Sequence, residues 1–121
     1  MRVLVCGDRY WSDREMLFSV LDSLHAARPI TCVIEGEARG ADTLGRLWAE
    51  AHGIQVEKFP ALWERYGRAA GPIRNSQMLL EGKPDLVVGF HPDILQSKGT
   101  RNMLKIAKAA GVETKLYPDQ I

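Results

Sequence analysis

Five short apolar runs alternate with helical repeats along this chain, and that alternation constrains its fold more than any other feature. Residues 2–6 (RVLVC) form a β-branched-rich run stopped by Gly7, as expected of a strand buried on both faces. Ser12 and Glu15 then make a capping-box pattern ahead of Met16, Leu17, Val20, Leu21 and Leu24, an amphipathic helix. A second buried run covers residues 31–34, with Gly36 as its stop. From Asp42 onward Leu44, Leu47, Trp48 and Ala51 repeat at helical spacing as far as Gly53, which suits a helix C-terminus. Residues 55–59 make a short strand ended by Pro60. Pro72 opens a third helix carrying Ile73, Gln77, Met78 and Leu80, because the N–H that proline lacks has no partner at a first helical position. Residues 85–90 (DLVVGF) form another buried strand. Met103, Leu104, Ala107 and Ala110 mark a last helix closed by Gly111, and residues 112–117 supply a final strand.

The resulting β-α-β-α-β-α-β-α-β order predicts an α/β fold, a three-layer Rossmann-like parallel five-stranded sheet with helices on both faces. The expected strand order is 3-2-1-4-5. In such sheets ligands sit beyond the carboxyl ends of the strands where the order reverses, here between the first and fourth strands. The length of 121 residues leads to the expectation of one domain over residues 1–121. With 16 Lys+Arg against 15 Asp+Glu, the net charge of +1 supplies no whole-molecule field, so a nucleic-acid partner is not expected. No apolar run approaches the roughly 20 residues that span a bilayer, and the chain enters its first strand without a signal-peptide pattern. A cytoplasmic location and no membrane partner are the expectation. Cys6 directly precedes Gly7, whereas Cys32 lies four residues before Gly36. If those glycines end neighbouring strands, the sulfurs are offset by about three residues, roughly 10 Å, beyond disulfide reach. Both cysteines therefore read as buried free thiols of a reducing compartment.

Four loops converge on the predicted carboxyl edge: residues 7–11, residues 35–42, residues 60–72 followed by Arg74 and Asn75, and residues 91–99. Each brings glycine together with arginine or a helix start, and both favour anions. The second loop is the strongest local signal. Gly36 and Gly40 bracket a turn between strand and helix, Asp42 is placed to cap that helix, and Arg39 is placed to pair with a phosphate. The spacing alone equally describes an ordinary βα turn, because G-x-x-x-G is not a nucleotide fingerprint. Gly99 and Thr100 open the last helix as a second anion site, or simply as an N-cap threonine. Arg74 falls in a first helical turn, where the dipole favours an acid, which points it toward a ligand, although taken alone an exposed surface arginine is the commoner case. Trp11, Trp63 and Tyr66 are candidates to stack on a base, whereas Trp48 fits the core stripe of its helix. Neither a dinucleotide glycine motif nor a P-loop is present, which argues against hydride and P-loop phosphoryl chemistry. His25, His52 and His91 lack ligand spacing, so no metal or other cofactor is expected. Ser97 and the cysteines have no evident base partner for nucleophilic catalysis. Of the two acids Glu35 and Glu37, Glu35 is expected to face the site.

The segments GDRYWSD, EGEARGADTLGRLWAEAHGI, FPALWERYGRAAGPIRNSQML, DLVVGF and KGT together resemble the YspA/YpsA-related branch of the SLOG superfamily, over nearly the whole chain. That superfamily has a Rossmann-like fold and includes the LOG phosphoribohydrolases and the Smf/DprA DNA-processing proteins. The resemblance implies binding of a nucleotide or nucleotide-derived ligand, with Gly7, Arg9, Gly36, Arg39, Gly40, Asp42, Arg74, Asn75, Gly99 and Thr100 at the pocket; Asp8 and Trp63 join them from the residue-level reading. It also implies pairing into a homo-oligomer through helices. Three departures stand out. Glu37 occupies the place of a second glycine, residues 91–100 replace a glycine-rich loop, and Met103 stands where LOG enzymes carry a catalytic glutamate. N-glycosidic or phosphoester hydrolysis then requires Glu35 or Asp8 as the substitute carboxylate. Single-strand DNA binding of the DprA kind is the remaining alternative.

Overall fold

The computed structural model describes residues 1–120. Its strands are β1 (Arg2–Gly7), β2 (Cys32–Glu35), β3 (Gln55–Lys58), β4 (Leu86–Phe90) and β5 (Glu113–Tyr117). The helices are α1 (Arg14–Ala27), α2 (Ala41–Ala51), α3 (Trp63–Tyr66), α4 (Ala70–Gly82) and α5 (Gly99–Ala109). All pairings are parallel and the order is β3-β2-β1-β4-β5, as expected. Alternation along β1 divides the core in two. Val3 and Val5 face Leu17, Leu21, Trp48 and Ala49 of α1 and α2. Leu4 and Cys6 face Met78, Met103, Leu104 and Ala107 of α4 and α5. Helices thus cover both faces of a Rossmann-like sheet, which is the only way a parallel sheet of this composition keeps its apolar strands dry.

Several local expectations need correction. The cap of α1 is Asp13, not Ser12: its carboxylate accepts the Met16 N–H at 3.0 Å. A carboxylate in that position also meets the positive end of the helix dipole. Helix α4 starts at Ala70, so Pro72 lies within its first turn and Arg74 one turn further on. Its buried face is Ala70, Gly71, Asn75, Met78 and Gly82, while Ile73 and Leu80 point outward. Small residues let the helix lie close to β2, where a side chain at Gly82 would meet Ile34. Trp11 is not a stacking platform; it packs at 5.7 Å from the Phe90 ring, and its indole N–H bonds the Asp13 carbonyl. Trp48 is fully buried in the core. Cys32 pairs in register with Arg2, four positions below Cys6, a separation of roughly 13 Å at strand rise; both thiols are free and buried. Among the described residues, no helix is long and apolar enough to cross a membrane.

Candidate functional site

The chain ends of β1 and β4 lie side by side, Gly7 opposite Phe90, and the connections that follow diverge to opposite faces of the sheet. Such divergence opens a crevice. Two adjoining cavities occupy it. The inner one, about 280 Å³, is walled by Gly7, Asp8 and Arg9 after β1, Asp42 on α2, Arg74 and Asn75 on α4, and His91 to Thr100 after β4 in part. The outer cleft, about 510 Å³, lies between residues 36–39 and the segment holding Pro60, Ala61 and Trp63. Arg9, Ala38 and Arg74 line both.

The loop between β2 and α2 is tied down by Asp42, which does not cap its helix as expected. Gly40 takes the cap position without any side-chain bond, and the Asp42 carboxylate instead accepts the N–H groups of Gly36 at 3.0 Å and Ala38 at 3.2 Å. Gly40 has φ of 71° and lies against the backbone of Asp8 and Arg9, where any side chain would collide. It supports the site from beneath and does not line either cavity. The Ala41 N–H completes the tie by donating to the Asp8 carbonyl at 3.2 Å. Burial pushes Asp42 up to about 6, against the pull of the loop amides and of Arg74 and Arg9.

Arg74 crosses from α4 to this loop. Its guanidinium donates to the Gly36 carbonyl at 2.6 Å and to the Asn75 side-chain oxygen at 3.1 Å. Asn75, itself buried, donates in turn to the Gly99 carbonyl at 3.1 Å and to Asn102 at 3.0 Å. A Cβ at position 36 would displace the Arg74 guanidinium from the Gly36 carbonyl. Two of the five guanidinium N–H groups are engaged in these bonds, and the rest are available to an anion. Arg9 places its guanidinium 5.9 Å from the Trp63 ring centre, with Trp63 half-exposed.

At the start of α5 the Thr100 and Arg101 N–H groups both donate to the Ser97 hydroxyl. Ser97 is therefore the capping group there, and Thr100, expected as an N-cap, is a buried wall residue instead. Lys98 brings positive charge to the same wall.

Glu35, the last residue of β2, is fully buried and outside the walls of both cavities. Its Oε2 accepts the Glu37 N–H at 2.7 Å, while Oε1 has no partner. Burial raises its carboxyl to about 7, opposed by that bond and reinforced by the neighbouring Asp42 and Glu37. Glu37, not Glu35, faces the outer cleft. Met103 is fully buried in the α5 packing face. Asp8 lines the inner cavity and accepts the Tyr10 N–H at 3.0 Å. Burial holds the Cys6 thiol far above its ordinary range, so it is no nucleophile although it reaches the cavity floor. No group of three or more metal-ligating side chains among the described residues is arranged to hold an ion.

The fold thus gathers Gly7, Asp8, Arg9, Asp42, Arg74, Asn75, Gly99 and Thr100 around the inner cavity, and Gly36, Arg39 and Trp63 around the outer cleft. Sequence reading missed Ala38, His91, Ser97 and Tyr10 as wall residues. Of these, only Ser97 carried a signal, as a serine just ahead of a helix start.

Residues 1–66 match the family model described as the YspA, cpYpsA-related SLOG family. The chain belongs to this SLOG family. The match takes in the Gly7 loop, the 35–42 loop and α3, and ends before Arg74, Asn75, Gly99 and Thr100. The Gene 61 protein of Mycobacterium phage D29 is 34% identical over 125 residues, covering 98% of this SLOG chain and 98% of its own. No solved structure matches.

Proposed function

We propose that this SLOG-family protein binds a nucleotide or a nucleotide-derived small molecule at the carboxyl edge of its sheet, as a sensor or processing module. The observation that carries this reading is the placement of Arg9 and Arg74 in the wall common to two adjoining cavities. A charged group in the inner cavity and a planar group in the outer cleft would then be bridged by the same two guanidinium groups. Trp63 supplies an aromatic face to the outer cleft, and Lys98 adds charge to the inner one. Binding is favoured over hydrolysis because the glycosidase glutamate position is Met103, sealed in the core. Asp8 and Asp42 are the carboxylates on the inner wall, and Asp42 is committed to holding the loop.

Titration calorimetry with a panel of nucleoside mono- and diphosphates tests the proposal. At least one member should bind, and Arg74→Ala should weaken it by about tenfold or more, as loss of a charge-assisted pair does. Unchanged affinity in a folded Arg74→Ala protein would remove the pocket assignment. Release of free base or ribose phosphate from the same panel would move the reading to hydrolysis, with Asp8 as the first residue to test.

A further inference from the structure

We infer that Glu37 reads the edge of the bound base and gives the site a preference for guanine. The inference rests on the nucleotide reading above and adds to it the class of base. Glu37 lines the outer cleft beside Tyr10, Arg39 and Trp63. Its backbone is in the left-handed region, with φ of 58°, a conformation that a glycine adopts freely and a glutamate only at a cost. The bond from its N–H to the buried Glu35 carboxylate, 2.7 Å, holds it there.

The carboxylate of Glu37 makes no ion pair and accepts no hydrogen bond among the described residues. The side chain is exposed to solvent, in a cleft lined by three arginines. Two of them are directed elsewhere, Arg74 to the Gly36 carbonyl and Asn75, and Arg9 toward the Trp63 ring. The Arg9 guanidinium lies over the Trp63 ring, so the flat surface the cleft offers is that of the pair, next to one unpaired group that only accepts hydrogen bonds. Indole and guanidinium planes both stack on bases.

A carboxylate has two oxygens that suit a pair of parallel N–H donors. Guanine presents such a pair, its ring N1–H and the adjacent 2-amino group. Hypoxanthine keeps the N1–H and lacks the amine. Adenine has a lone pair at N1, which a carboxylate repels. The expected order of affinity is guanine, then hypoxanthine, then adenine.

Calorimetry with the guanosine, inosine and adenosine mono- and diphosphates decides the matter, on the wild-type protein and on Glu37→Gln and Glu37→Gly. Wild type should bind the guanine nucleotide about tenfold or more tighter than its adenine counterpart, the discrimination of a bidentate contact, with inosine between them. In both variants the ratio should fall to within about threefold. Glu37→Gly also relieves the backbone conformation, so retention of the wild-type melting temperature or a rise in it verifies that the fold is intact. Equal binding of guanine and adenine nucleotides by wild type, or a preference that survives in Glu37→Gly, overturns the inference and leaves the nucleotide reading standing. Binding of none of the six ligands overturns the inference, and binding of no member of the wider panel, pyrimidine nucleotides included, overturns the nucleotide reading with it.

Discussion

Glu35 is an acid with no route to solvent and one oxygen without a partner, and its chemistry sets a pH dependence for the whole fold. Its carboxyl titrates near 7 in the folded protein, above the ordinary 4.5. Between those values the folded state holds a proton that the unfolded chain has released. The stability this contributes is complete below about pH 4.5 and is lost as pH rises through about 7. Asp42, raised to about 6, adds a slope of the same sign. Glu35→Gln removes the first slope and keeps the second. Its stability relative to wild type should therefore improve by about 1–3 kcal/mol between about pH 5 and pH 8, read from denaturant melts at each pH. A constant difference across that range would show that Glu35 does not titrate there. None of this was legible from the residue itself. A glutamate after an apolar run reads as a loop acid, and only the strand's extension by one residue buries it. The glycines and arginines of the loops stand out in the sequence, but Gly36 and Arg39 read equally as an ordinary βα turn and Arg74 equally as a surface arginine until the fold sets Arg74 against the Gly36 carbonyl. Ala38 carries no chemistry of its own, and His91 stands without a sequence partner until the fold turns both inward.

Among the elements, those with large apolar residues at regular spacing are legible, whereas α4, packed mostly by small residues, is legible as a helix but not in its start or most of its buried face. The strands announce themselves by runs such as RVLVC and DLVVGF. Met78 apart, helix α4 hides its buried face in Ala70, Gly71, Asn75 and Gly82, which no hydrophobic periodicity detects. The four-residue α3 is too short to have a period at all. Helix starts were the other weak point, since Ser12 and Asp13 are both good caps and the sequence does not choose between them. The structure does, through the bond from Met16 to Asp13. Asp13→Ala should cost about 1 kcal/mol, whereas Ser12→Ala should change stability by less than about 0.5 kcal/mol. Equal losses in urea melts of the two variants would mean that the cap is shared.

At the scale of the whole molecule, the near-neutral balance recurs at the site itself. The net charge of +1 coexists with Arg9, Arg39, Arg74 and Lys98 around two cavities at one edge of the sheet, set against Asp8, Glu37 and Asp42 on the same walls. The strand order places that edge, and the glycines let the loops close in on it. The loop wall held by Asp42 and Arg74 has a kinetic corollary. Its amides and carbonyls are already satisfied from within the chain at Gly36, Ala38 and Ala41, so little reorganisation separates the empty site from the filled one. Encounter, and not loop closure, should then limit the speed of association. In stopped-flow mixing the observed rate should climb in proportion to ligand concentration with no plateau. A plateau would reveal a slow ordering step that the ties to Asp42 and Arg74 leave no reason to expect.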